Sequence, residues 1–351
     1  QMVEIAKGIS RGASLIVLDE PTSAITDAEV EILFQQINRL KEKGISFVYI
    51  SHKMDELFVI ADDVTVMRDG EYVGTHAMKD IDEHHLIALM VGRELTELFP
   101  KVECQIGEVV FEAKNLWKKK TFEEINFSVR KGEILGISGL MGAGRTELAR
   151  AIFGLDALDG GDMLIEGQPI TIKSPTDAIK HGIIMLPEDR KLVGLVLGRS
   201  ILDNIALPNL DQFENKGLLN IKAMFNACHE ISEQIGVKTP SIKVEAKTLS
   251  GGNQQKVVIC KWLLQLGIKV LILDEPTRGI DVGAKSEIHK LMGEFARQGM
   301  AIIMISSELP EIIGMSDRII VMREGKFVGE LSREETTQEK IMTFATGGKQ
   351  Q

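Results

Sequence analysis

Eight residues govern what this chain can become: Gly139-Leu140-Met141-Gly142-Ala143-Gly144-Arg145-Thr146, set between an apolar strand-like run, Ile134 to Ser138, and a helix-like stretch, Glu147 to Phe153. Glycines let the backbone turn tightly and aim several N–H groups at one anion, and the positive end of the next helix adds to the attraction. The stretch reads as a phosphate cradle. In the pattern G-x-x-x-x-G-K-[ST] the lysine reaches the outer phosphates and the hydroxyl ligates Mg2+. Here the hydroxyl is Thr146, while Arg145 holds the lysine's place. A glycine-rich turn alone is often only a connection, so its companions decide the reading.

Laying the chain on itself exposes an internal repeat. Leu18-Asp19-Glu20-Pro21-Thr22 recurs 255 residues later as Leu273-Asp274-Glu275-Pro276-Thr277. At the same offset Tyr49-Ile50-Ser51-His52 meets Met304-Ile305-Ser306-Ser307, and Val66-Met67-Arg68-Asp69-Gly70 meets Val321-Met322-Arg323-Glu324-Gly325. Gln1 to Lys7 aligns with Gln255 to Lys261 at an offset of 254. A period this long is domain-sized rather than that of a solenoid. It predicts two tandem copies of one domain, the first incomplete: residues 1–98 the carboxy-terminal part of copy one, 99–108 a linker around Pro100, 109–346 copy two, and 347–351 a frayed tail. Copy one reads as alternating short strands (Leu15 to Leu18, buried; Ser46 to Ile50; Val64 to Arg68) and helices (Asp27 to Lys43; Lys53 to Ile60), the signature of a parallel sheet with both faces covered. Copy two opens with strands that predict an antiparallel sheet (Val109 to Ala113, Ile125 to Val129, Asp162 to Ile165), and residues 190–247 read as a helical insertion.

Composition sets limits on partners. With 351 residues, 44% hydrophobic and 26% charged, the chain is of soluble globular type with about two domains. No run approaches the roughly 20 apolar residues of a membrane span, so a membrane role must come through a partner. The net charge of −10, without long basic tracts, argues against nucleic acid. Cys104, Cys228 and Cys260 lie far apart without C-x-x-C spacing, which suggests neither a zinc site nor a disulfide framework and fits a reducing compartment. No signal peptide is read at the amino terminus; Gln1 to Lys7 reads as helix from its first residue, as if the chain were cut inside a domain.

Val270 to Glu275 is an apolar run closing on two acids. If its strand is a parallel neighbour of the one before the cradle, Asp274 is placed to hold Mg2+, and Glu275 to orient or deprotonate an attacking water. Leu249-Ser250-Gly251-Gly252-Asn253-Gln254-Gln255-Lys256 offers Ser250 as a cap for a helix whose first turn bares its N–H groups.

These motifs, with the Gly279-Ile280-Asp281 turn, resemble the ATP-binding cassette family over essentially the whole chain. The resemblance implies an α/β fold of P-loop NTPase type, a mixed sheet core with an antiparallel β subdomain and an inserted helical subdomain. It further implies two ATP sites, each made of one domain's phosphate loop and the other domain's signature. By position, Gly139, Gly142, Ala143, Gly144, Arg145, Thr146, Glu147, Glu188, Ser250, Gly251, Gly252 and Gln254 are implied to bind nucleotide. Thr146, Asp274 and Asp19 are implied to hold Mg2+, and Glu20, His52 and Glu275 to serve catalysis. Trp117 or Phe122 could stack on the adenine. The run Asp274 to Lys285 and Pro187-Glu188-Asp189-Arg190-Lys191 are similar to the ATPase subunits of bacterial monosaccharide importers of the ribose, xylose or galactose/methyl galactoside type. That implies two integral-membrane permease subunits and an external sugar-binding protein as partners, at the cytoplasmic face of the cell membrane, with self-association of the second domain open. Three departures, Arg145 for lysine, Glu188 for glutamine and Ser307 where copy one has His52, imply that the second site holds ATP but turns it over poorly. Rival readings are a soluble, non-transport member of the family and a regulatory nucleotide-binding module without turnover.

Overall fold

The computed structural model describes residues 13–22, 27–51, 54–68, 70–82, 85–86, 89–90 and 99–347; the helix read at Gln1 to Lys7, His52 and residues 348–351 lie outside them. The chain divides into two compact units, residues 1–96 and 97–351.

In unit 1, β1 (Leu15–Asp19) and β2 (Ser46–Ile50) pair in parallel, joined through α1 (Asp27–Glu42). The short helix α2 (Met54–Ile60) leads to an antiparallel hairpin, β3 (Asp63–Arg68) and β4 (Glu71–Ala77). Leu33, Phe34, Ile37 and Leu40 of α1 form a core with Ile60, against which Leu18, Phe47 and Tyr49 pack. The buried strand read at Leu15 to Leu18 needs correction: only one face of the pair is covered. Leu15, Val17, Val48 and Ile50 are 45 to 58% exposed, whereas their repeat counterparts Val270, Ile272, Ile303 and Ile305 are at most 1% exposed. The counterparts lie on strands flanked on both sides and covered by helix, whereas among the described residues β1 and β2 form a sheet of two. Such a face drives association. The chain is therefore expected to self-associate at micromolar concentration, and Val17→Lys with Val48→Lys to suppress this; a monodisperse monomer of the unaltered chain in sedimentation velocity would contradict it.

Unit 2 begins with β5 (Val109–Lys118), β6 (Phe122–Arg130) and β7 (Ile134–Gly139), followed by α3 (Arg145–Ile152), β8 (Gly160–Ile165), β9 (Gln168–Ile170), α4 (Pro175–Lys180) and β10 (Ile183–Leu186). The insertion carries a π-turn at 190–194, α5 (Ile201–Ala206), a small hairpin of β11 (Glu214–Asn215) and β12 (Leu218–Leu219), and α6 (Ile221–Gln234). The chain then runs through α7 (Gly251–Leu263), β13 (Val270–Asp274), α8 (Val282–Arg297), β14 (Ala301–Ile305), α9 (Leu309–Met315), β15 (Arg318–Arg323), β16 (Lys326–Ser332) and α10 (Gln338–Thr346).

A mixed six-stranded sheet has the order β10-β13-β14-β7-β15-β16, parallel except for β16, and the strands β6-β5-β8-β9 make an antiparallel sheet. The central strands are buried along their whole length, which is why they read as unbroken apolar runs. Residues 99–108 belong to unit 2 and pack within it: Lys101 Nζ sits 2.6 Å from Asp317 Oδ1 and donates to the Met315 carbonyl, while the Phe99 ring is 5.3 Å from that of His289.

Candidate functional site

The strand register brings the chemistry to one edge. Leu186 pairs with Leu273, Asp274 with Ile305, and Ile305 with Ile137, so the carboxyl ends of β10, β13, β14 and β7 are aligned. Crevices at the carboxyl ends of parallel strands are where such sheets bind ligands. The acid-bearing strand is not a direct neighbour of the strand before the cradle, because β14 lies between them. The two are joined nonetheless: Thr146 Oγ1 donates to Asp274 Oδ1 at 3.2 Å.

The cradle follows β7. Gly139 must be glycine, since at φ 154° an added Cβ would fall 2.2 Å from the Met322 carbonyl oxygen. Gly142 and Glu147 are exposed, Ala143 and Gly144 are buried, and Thr146 is half-buried. Gly144, in the left-handed region, caps α3, whose first-turn N–H groups have no acceptor within the helix. These groups and the helix dipole converge on one place, and an anion is what they can hold.

Beneath it, Asp274 is fully buried, its Oδ2 has no hydrogen-bond partner, and burial pushes its pKa up to about 6. Glu275 is raised as well, first by burial, with Ser307 and Arg145 opposing. Its Oε2 accepts from Ser307 Oγ at 3.0 Å and its Oε1 lies 3.8 Å from Arg145 Nη2. Arg145 Nη1 in turn donates to the Ser306 carbonyl at 2.8 Å. The guanidinium is thus engaged with the strand end. A deeply buried carboxylate with one oxygen unused, next to a hydroxyl, suits a hard divalent cation such as Mg2+. Among the described residues no cluster of three or more His, Cys, Asp or Glu could hold a metal ion.

Glu188, just past β10, forms an ion pair with Arg278. Ser250 stands at the N-cap position of α7, but the expected cap is replaced: its hydroxyl accepts from Asn253 Nδ2 at 3.0 Å, because that amide three residues on competes for it. Gly252 is buried, and an added Cβ would lie 2.4 Å from Ala284 Cβ, so close helix packing requires glycine there; Gly251 is half-buried. Gln254 is buried, with Nε2 donating to the Ala246 and Leu249 carbonyls. Of the two aromatic candidates, Phe122 is buried and Trp117 is exposed.

In unit 1, Asp19 is exposed at the end of β1 and Glu20 is half-buried. Glu20 and Glu275 share one conformation: φ is 47° and 48°, and each N–H donates at 2.9 Å to the end of the neighbouring strand, at Ile50 and Ile305. The sequence reading missed Arg190, whose guanidinium is buried and donates to the Arg278 and Gly279 carbonyls at 2.7 and 2.9 Å. It also missed Glu311, although the repeat, aligning Glu311 with Glu56, carried a signal for it.

The sequence model of the ABC transporter family matches residues 122–278. Over 99% of its length the chain is 56% identical to the putative ribose/galactose/methyl galactoside import ATP-binding protein 1 of Rhizobium etli, covering 66% of that protein. It is likewise 56% identical to the ribose import ATP-binding protein RbsA of Bacillus licheniformis, covering 71% of it. The chain thus spans about two thirds of the length of these curated relatives. Among solved structures, the ATP-binding cassette MJ1267 of an ABC transporter superposes with a TM-score of 0.58 at 22% identity, over 68% of this chain and 98% of that one. The cbiO1 protein of Clostridium perfringens, part of a cbiONQ transporter complex, gives 0.56 at 23% identity, over 67% and 93%.

Proposed function

This chain belongs to the ABC transporter family, and we propose that it is an ATP-binding and ATP-hydrolysing subunit energising import of a monosaccharide of the ribose or galactose class through a membrane permease. The fold is that of an ABC-type P-loop NTPase. The observation that carries the reading is the Thr146–Asp274 contact, which sets a buried carboxylate under a glycine-rich anion cradle. The names of the relatives support the sugar class. In this reading residues 1–98 are the carboxy-terminal part of one nucleotide-binding domain, 99–108 a linker and 109–346 a second domain.

The cradle from Gly139 to Thr146 binds the phosphates through backbone N–H groups and the α3 dipole, and Thr146 and Asp274 hold Mg2+, which neutralises phosphate charge when bound. Glu275 lies beside the cradle, and although burial raises its pKa, Ser307 and Arg145 oppose that rise and tie up both of its carboxylate oxygens, which restrains it as a base. With Glu188 drawn to Arg278, this site holds ATP and turns it over slowly. The competent acids are Asp19 and Glu20, with His52. A module that binds without turnover is the second reading, and the Ser307–Glu275 hydrogen bond is what favours it.

No helix among the described residues is long and apolar enough to cross a membrane, so the proposed placement is peripheral, at the cytoplasmic face. Two permease subunits, served by an external sugar-binding protein, would dock on the insertion, where Leu192, Val193 and Val196 are exposed. Titration calorimetry tests the core of this: the chain is expected to bind Mg-ATP, and Thr146→Val to weaken the Mg2+-dependent part about tenfold. Absence of nucleotide binding by the unaltered chain would overturn it.

A further inference from the structure

Behind the site lies a buried polar cluster that the mechanism does not use. Glu311, on α9, is 1% exposed; its Oε1 accepts from Thr277 Oγ1 at 2.8 Å and lies 2.7 Å from His289 Nε2 on α8. His289 and Thr277 are equally buried. Charged groups this deep carry a desolvation cost and persist where something specific compensates it. Here His289, with the hydroxyls of Ser306 and Thr277, outweighs burial and holds the carboxyl below its usual range.

Thr277 sits two residues beyond Glu275, in the turn closed by the Arg278 N–H to Glu275 carbonyl bond of 3.1 Å. Glu275 has φ 48° in that turn. A non-glycine residue in the left-handed region is uphill by roughly 1 kcal/mol or more and stays there only where its surroundings over-determine it. The backbone supplies two of those restraints, and Glu311 supplies the third from below.

Unit 1 keeps the buried carboxylate with different parts around it. Glu56 is the counterpart of Glu311 and is also buried; Thr22, the counterpart of Thr277, is buried too, but its Oγ1 has no hydrogen-bond partner among the described residues, so the threonine–glutamate bond belongs to unit 2. Its donors are Tyr49 Oη at 2.8 Å and Ser51 Oγ at 3.3 Å. Phe34 stands in the place of His289, and Met304 in unit 2 takes the place of Tyr49. The carboxylate is thus kept in both copies while the ring that serves it comes from the helix in one and the strand in the other.

We infer that Glu311 is a positioning residue of the nucleotide site: it pins the Glu275–Arg278 turn through Thr277, with His289 of α8 as its anchor. This rests on the nucleotide-site reading for its functional half only. In the whole chain, Glu311→Gln is expected to speed hydrogen exchange at the Glu275 and Arg278 amides about tenfold, with exchange in β5 and β6 unchanged, and to weaken Mg-ATP binding in parallel. His289→Phe is expected to do the same, and His289→Phe with Met304→Tyr, which gives Glu311 a ring hydroxyl donor from the strand as Tyr49 gives one to Glu56, to restore both. Exchange at the turn unchanged in Glu311→Gln would overturn the inference, as would a loosening spread evenly over unit 2. If the unaltered chain bound no Mg-ATP, the nucleotide reading would fall, and exchange at the turn would still decide whether Glu311 pins it.

Discussion

Asp274→Asn is expected to raise the melting temperature of the nucleotide-free chain at pH 7 by about 5 °C while removing the Mg2+-dependent gain in ATP affinity. Asp274 is fully buried, and burial lifts its pKa to about 6, against about 3.9 for an unfolded aspartate. A carboxyl whose pKa is raised on folding contributes stability that is fully present below about pH 4 and is lost as the pH climbs through about 6. At neutral pH its ionised form therefore costs roughly 3 kcal/mol. Asparagine leaves an oxygen to accept from Thr146 and removes the charge. Melting curves of the unaltered chain should show this part of the stability declining from pH 4 to pH 7, and the variant should lose that decline. Equal pH dependence in the two proteins would refute the assignment of Asp274 as the strained, cation-ready group.

Much of this arrangement is legible in the sequence because it depends on local pattern. The cradle is read from its glycines and hydroxyl, and the two acid pairs from a repeat whose offset of 255 residues also predicts that β1 and β13 occupy equivalent places. Other features depend on what a strand meets, which an apolar run cannot specify. Leu15 to Leu18 and Val270 to Leu273 read alike, yet one pair of strands has an open face and the other is central in a sheet. The position of β14 between β13 and β7 is likewise a matter of strand order. Ser250 reads as a cap until the Asn253 amide is seen to take its hydroxyl. Arg190 has no role legible in its motif, because its two acceptors are backbone carbonyls, which leave no mark on a sequence.

Within the proposed function the two copies are unequal, and glutamate substitutions separate them. Glu20 and Glu275 share backbone conformation and hydrogen-bond acceptor, so their geometry does not distinguish them. Their surroundings do. Glu275 is held by Ser307 and faced by Arg145, whereas copy one has His52 where copy two has Ser307. Removing a competent general base costs on the order of 100-fold or more in turnover, and removing one already restrained costs little. The measurement that bears most directly on this is Mg-ATP turnover by the chain extended upstream with a counterpart of residues 109–254, in unaltered, Glu20→Gln and Glu275→Gln forms, beside the chain as it stands. The account predicts turnover in the extended chain alone, abolished by Glu20→Gln and changed less than threefold by Glu275→Gln. Turnover by the unextended chain that disappears with Glu275→Gln would contradict it, because Arg145 would then support catalysis at the second copy.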